Sequence, residues 1–139
     1  MKCGYVDSSV MARIALDEPD KVNGLSQFSK LATSELSQVE LRRVLDRYRL
    51  VTQASDSRLI EVGEKIESIK KTMSTLNLTQ SILLRAGHPL PVVLGTLDAI
   101  HLSSALIWQD VVGQPVTMIT HDVQLAKASR MMSLEVLGV

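Results

Sequence analysis

Four carboxylates carry the chemistry that this sequence can offer. Asp7 follows the apolar run "KCGYV", and Glu40 stands inside "TSELSQVELRRVL", shortly after Ser34. Asp98 opens "TLDAIHLSSAL", and Asp122 follows "VTMIT" and His121. Each has a local explanation: an Asx-turn or cap for Asp7, a solvated helix position for Glu40, helix caps for Asp98 and Asp122. Convergence of all four at one edge of a sheet would have a different meaning. Carboxylates at close range raise one another's pKa values, and a divalent cation removes the conflict. Hard Mg²⁺ or Mn²⁺ prefers carboxylate and water oxygens. An ion held this way suits phosphoryl chemistry, because it can activate a water and offset charge on the leaving oxygen. Hydroxyls stand beside these acids at Ser8, Ser34 and Thr120, where they can orient carboxylates or a bound water.

Competing chemistries find little support. Cys3 is alone in an apolar run and is expected to be a buried, inert thiol. His88, His101 and His121 lack the spacing of a zinc site, and His101, on an apolar helix, is expected to pack or hydrogen-bond. The chain has no GxxxxGK[ST] loop, no GxGxxG and no Gly-x-Ser-x-Gly elbow.

The elements that must position these acids follow from the apolar pattern. Residues 2–6 read as a strand ending at Asp7, with Ser8 or Ser9 available to cap the helix "VMARIAL", which "DEPD" breaks at Pro19. "SKLAT" at 29–33 reads as a second strand, and Ser34 can cap the following helix, with Leu36, Val39, Val44 and Leu50 on its apolar side. Leu59, Val62, Ile66, Ile69 and Met73 recur at threes and fours, so residues 57–73 form another helix and the two make an αα-hairpin. A short strand is expected at 74–79 and a helix from Gln80. The turn "GHPLP" precedes the Asp98 helix, which runs to about Gln109. "VTMIT" at 116–120 is the clearest strand, Asp122 begins a helix, and "LEVL" closes as a strand. Strands alternating with helices, without hairpin turns, predict a parallel α/β sheet, whose sites lie beyond the carboxyl ends of its strands.

Composition sets the outer bounds. The 139 residues suffice for one domain, 1–139, and the core must be aliphatic, since 45% of residues are hydrophobic but only 3% aromatic. No run approaches the roughly 18 to 20 apolar residues of a membrane span, and "MKCGYVDSSV" turns polar too soon for a signal peptide. A single cysteine fits a reducing, cytoplasmic location. Fifteen basic residues balance fifteen acidic ones. If four acids face a metal, the remaining surface is net basic by four, which favours phosphate contacts. Arg42, Arg43, Arg47, Arg49, Arg58, Lys65, Lys70 and Lys71 crowd into 42–71, interleaved with acids as on solvated helix faces. The shortage of aromatics argues against a base-stacking platform.

The four acidic segments together, "YVDSSV", "TSELSQVELRRVL", "TLDAIHLSSAL" and "MITHDVQLAKAS", resemble PIN domains, and most of all VapC-type toxins of type II toxin–antitoxin systems. The resemblance spans nearly the whole chain in the same order. It implies a three-layer α/β/α sandwich with a short central parallel sheet, and a Mg²⁺- or Mn²⁺-dependent endoribonuclease, often homodimeric. Asp7, Glu40, Asp98 and Asp122 match the family's acidic set, and Thr120 its hydroxyl before the last Asp. The helical region 35–73 matches the place where such toxins receive a VapB-like antitoxin. Two positions depart from the pattern: Gly95 and Thr96 stand where many relatives carry a basic residue, and Gln124 where a further acid sometimes follows. A PIN-fold binding module with weak or no activity, a housekeeping RNA-processing nuclease, and a phosphoacceptor receiver domain are the rivals. Receivers want adjacent acids after the first strand, where this chain has Asp7-Ser8-Ser9.

Overall fold

The apolar run after Lys2 forms β1 (Cys3–Val6), and all four of its residues are buried. The computed structural model describes residues 2–139; Met1, the first residue of the expected domain, lies outside it. Further along come α1 (Ser8–Ala15), a 3₁₀ turn at Leu25–Gln27, β2 (Lys30–Ser34), α2 (Leu36–Thr52) and α3 (Asp56–Lys70). The second half contains β3 (Ser74–Leu76), α4 (Gln80–Ala86), α5 (Thr96–Val112), β4 (Val116–Ile119), α6 (Val123–Met131) and β5 (Glu135–Leu137). All neighbouring strands pair parallel in the order β3-β2-β1-β4-β5. The expected α/β/α sandwich is therefore observed.

Alternation along the central strands divides the core into two layers, because successive strand side chains point to opposite faces. Tyr5 and Met118 pack with Leu102, Leu106 and Leu125 on the α5–α6 side. Val6 and Ile119 pack with Val10, Met11 and Leu41 on the α1–α2 side, where Ile66 and Ile69 of α3 join them. Side chains pack closely over Gly4: a Cβ there would lie 2.7 Å from Ile119 Cδ1 and 3.0 Å from Leu31 Cδ2, so those side chains would have to shift.

Several boundaries differ from expectation. The cap of α1 is Asp7 rather than Ser8 or Ser9; its side chain accepts from the Ser9 N–H. That helix ends at Ala15, ahead of Pro19, and Asp17 takes a positive φ of 54°. Val39 and Leu50, assigned to the apolar side of α2, are about 60% exposed, and Val44 is exposed as well. Ser37 and Leu41 are the buried residues of α2. The Asp98 helix continues through Val112 and stops at Gly113, which is left-handed with φ 67°, a usual helix ending. Met73 packs against the core as expected but lies beyond the end of α3.

The strand order places a switch point beside β1. The chain leaves β1 toward β2 and β3, then returns to β1's other side at β4. Crevices form at such points beyond the carboxyl ends of the strands. Val6 pairs with Ile119, so Asp7 and Thr120 leave the sheet side by side. No helix is long and apolar enough to cross a membrane among the described residues.

Candidate functional site

Thr120 ties the ends of β1 and β4 together at this crevice. Its hydroxyl donates to Asp7 Oδ2 and accepts from the Asp122 N–H at 3.0 Å. Asp7 is buried at 4% exposure, so its charge needs donors. It has them: Ser9 N–H to Oδ1 at 2.9 Å, Ser9 Oγ to Oδ2 at 2.9 Å, and a longer contact from Ser8 Oγ at 3.3 Å. Ser9 Oγ also accepts from the His121 N–H at 3.2 Å, which fastens the β4–α6 turn to α1. Asp122 caps α6 by accepting the Leu125 N–H at 2.8 Å. Behind this turn the chain runs so close that a Cβ on Gly138 would lie 2.4 Å from the Thr120 carbonyl oxygen.

The α2–α5 side is built differently. Glu40 projects from α2 and its Oε1 lies 2.6 Å from His101 Nε2. The other ring nitrogen, Nδ1, is 2.7 Å from the Tyr5 hydroxyl. Both His101 and Tyr5 are fully buried, in an edge-to-face arrangement with centroids 5.8 Å apart. Burial pushes the Tyr5 hydroxyl well above its usual range, so it stays protonated. Burial alone would lower His101, but the Glu40 hydrogen bond and the charges of Asp7, Glu40 and Asp98 outweigh it, and the ring holds its proton more firmly than usual.

Asp98 sits in the first turn of α5, whose cap is Gly95, so it is not the cap of its own helix. Burial, followed by the charges of Asp122 and Asp7, raises its pKa from 3.8 to about 6, and Glu40 adds to the rise. The charges of Asp122, Asp7 and Glu40 thus all act on Asp98.

The predicted hydroxyls divide. Thr120 holds Asp7 as expected. Ser8 does so weakly, and Ser9, which sequence reasoning offered only as a cap, does more. Ser34 is not the cap expected for α2: Glu35 holds that position without a side-chain cap bond, and Ser34 Oγ accepts from the Leu36 N–H at 3.0 Å within the turn that precedes the helix. Tyr5 was missed altogether, because it reads as an ordinary strand aromatic.

No group of three His, Cys, Asp or Glu side chains among the described residues is drawn together tightly enough to chelate an ion as it stands. The donor chemistry nevertheless suits Mg²⁺, which keeps several waters and takes one or two carboxylates directly. Burial first, and then the charges of Asp122, Asp7 and Glu40, disfavour the ionised Asp98 carboxyl, a penalty that a nearby cation would offset.

Fold and sequence comparison agree on the class. The PIN domain family model matches residues 4–130, and the chain belongs to the PIN-domain family. It is 31% identical over 108 residues to ribonuclease VapC47 of Mycobacterium tuberculosis (strain CDC 1551 / Oshkosh), an alignment covering 73% of each chain. Its fold resembles a chain in the crystal structure of VapBC2 from Rickettsia felis bound to a DNA fragment from their promoter, with TM-score 0.69, 14% identity and 96% of both chains covered. It also resembles PAE2754 from Pyrobaculum aerophilum, with TM-score 0.58, 17% identity, and 91% and 86% of the two chains covered.

Proposed function

We propose that this protein is a metal-dependent endoribonuclease, the toxin of a type II toxin–antitoxin module, which hydrolyses RNA phosphodiester bonds. The observation that carries this is the junction at the switch point of the parallel sheet, where the Thr120 hydroxyl joins the buried Asp7 to the Asp122 backbone, with the half-buried Asp98 carboxyl raised by burial and by the neighbouring acids. A site that raises a carboxyl this way gains from a bound cation. The similarity to a ribonuclease of the same family supports RNA as the substrate.

Asp7, Asp98 and Asp122 would hold Mg²⁺ or Mn²⁺ directly or through water, and Glu40 would hold a second ion or orient the attacking water. The bound metal supplies Lewis acidity toward the phosphate and a more acidic water. The remaining work belongs to the chain. Thr120 and Ser9 keep Asp7 in one rotamer. The α6 cap keeps Asp122 beside it. His101 steadies Glu40.

The helical pair α2–α3 is the proposed seat of a VapB-like antitoxin. Val39, Leu50, Val51 and Ile60 are each more than half exposed there, an apolar surface of the kind partners cover. The similarity in fold to a VapBC2 chain supports this partner class. In this reading residues 1–139 act as one domain, in the cytoplasm and as a homodimer. Exposed Leu83, Leu84, Val93 and Leu97, on α4, α5 and the segment between them, are the proposed dimer surface, beside an open cavity of about 640 Å³ lined in part by Leu83 and Val93.

Incubation of purified protein with bulk RNA tests the proposal. Cleavage is expected with Mn²⁺, and neither with chelator nor from Asp7→Asn. A wild type inert on every RNA with Mn²⁺, yet binding RNA or a partner tightly, would instead identify a binding module. A short adjacent reading frame encoding a DNA-binding protein that binds this chain would support the toxin role.

A further inference from the structure

We propose that His101 is a positioning residue: it holds the Glu40 carboxylate at the cleft and is itself fixed by Tyr5. Its catalytic consequence rests on the proposed nuclease function; its geometric content does not. Glu40 needs such a holder. A glutamate has three rotatable side-chain bonds, and ordering them costs conformational entropy. Glu40 extends from α2, where no strand-end turn confines it as the β1–α1 turn confines Asp7. The restraint it has is the 2.6 Å contact with His101 Nε2.

The imidazole is well placed for the task. His101 is three residues after Asp98 on α5, and residues at that spacing share a helix face. One helix therefore presents one acid of the cleft and the holder of another. Nε2 faces a carboxylate, which accepts, so Nε2 carries a proton in either protonation state of the ring. The Tyr5 hydroxyl occupies Nδ1 at 2.7 Å and can accept or donate to match. Tyr5 lies in β1, two residues before Asp7. The chain Tyr5–His101–Glu40 thus references the carboxylate on α2 to the same strand that carries Asp7. Groups behind a functional carboxylate typically matter about 10- to 100-fold.

The rival explanation is that His101 merely fills the core and satisfies Tyr5. Two substitutions separate these roles. The amide nitrogen of a glutamine falls near the position of Nε2, whereas the amide of an asparagine falls near Nδ1. His101→Gln therefore retains a donor toward Glu40 and loses most of the Tyr5 contact. His101→Asn does the reverse. If His101 positions Glu40, His101→Asn should lower kcat on bulk RNA about 10- to 100-fold, and it should shrink the Mn²⁺-induced rise in melting temperature. His101→Gln should restore most of both. The crystal structure of His101→Asn should show the Glu40 carboxylate turned from its wild-type place. Should His101→Asn prove too unstable, Tyr5→Phe, which frees the ring and keeps its donor, should displace Glu40 to a smaller extent.

The proposal is overturned if Glu40 stays in place in His101→Asn, or if asparagine performs as well as glutamine. A wild-type protein that neither cleaves RNA nor responds to Mn²⁺ would defeat the nuclease function instead. The position of Glu40 in the variant crystal would then still decide the inference.

Discussion

The two sides of the acidic cleft hold their carboxylates by opposite means. On the β1–β4 side, Asp7 is met by the Ser9 N–H and by the Ser9 and Thr120 hydroxyls, and Asp122 by the Leu125 N–H, donors supplied by the first turns of α1 and α6 and by the end of β4. On the α2–α5 side, Glu40 depends on a buried imidazole, and Asp98 sits half-buried with its carboxyl raised. The first side is organised by local chain geometry, so it is complete as soon as the sheet forms. The second is organised by contact between helices distant in sequence, and its Asp98 carboxyl is raised by burial and by neighbouring acids. A cation would therefore change the second side more than the first.

The largest effect is expected from Asp7→Asn. Asparagine caps a helix as well as aspartate, so the fold should survive. RNA cleavage should nevertheless fall by more than about 100-fold, beyond what groups behind a ligand produce. Near-normal cleavage by this variant would break the assignment of Asp7 to the site.

Thr120→Val comes next. It keeps the side-chain shape and deletes both hydroxyl bonds that join Asp7 to Asp122. Losing a bond to a buried charge and one to a backbone N–H should cost about 2 to 3 kcal/mol in denaturant unfolding. A loss under about 0.5 kcal/mol would show that the β1–β4 side does not depend on this bridge.

Asp98 tests the other side and gives the opposite sign. Below about pH 4 it is protonated in both folded and unfolded chains. From there to about pH 6 the unfolded chain releases a proton that the folded chain keeps. Metal-free stability contributed by this group therefore falls as pH rises through that window and stays lower above it. Asp98→Asn should remove the fall and stabilise the chelated protein at neutral pH by on the order of 1 kcal/mol, a figure discounted for partial exposure. The same variant should respond less to Mn²⁺, because the site loses a charge that the ion would balance. A destabilised Asp98→Asn at neutral pH without metal would break the comparison between the two sides.

The smallest effect separates two adjacent serines. Ser9→Ala deletes a 2.9 Å bond to Asp7 and the acceptor for the His121 N–H, and should cost about 1 to 2 kcal/mol. Ser8→Ala deletes a 3.3 Å contact and should stay within about 0.5 kcal/mol. Equal losses, read by urea unfolding, would erase the distinction.

The sequence by itself determined the order of strands and helices, since period-two and period-3.6 patterns are set by each segment's own residues. It also marked Asp7, directly after an apolar strand, and Asp122, three residues beyond one, because an acid in such a strand-to-helix turn can cap the next helix. Asp98 and Glu40 were legible as members of the set, but not the means of holding them. Tyr5 is 96 residues from His101, and His101 is 61 from Glu40, so no local pattern joins them. Which serine reaches Asp7 was equally hidden, because the direction of each hydroxyl depends on where the β1–α1 turn places it. Whether Val39 and Leu50 are covered was not legible, because helical spacing reports an apolar stripe without saying what covers it. Tertiary structure decided these points through a single physical circumstance. A buried polar group must find its partner wherever packing brings one, and the parallel sheet with its switch at β1 brought Tyr5, His101 and Glu40 together.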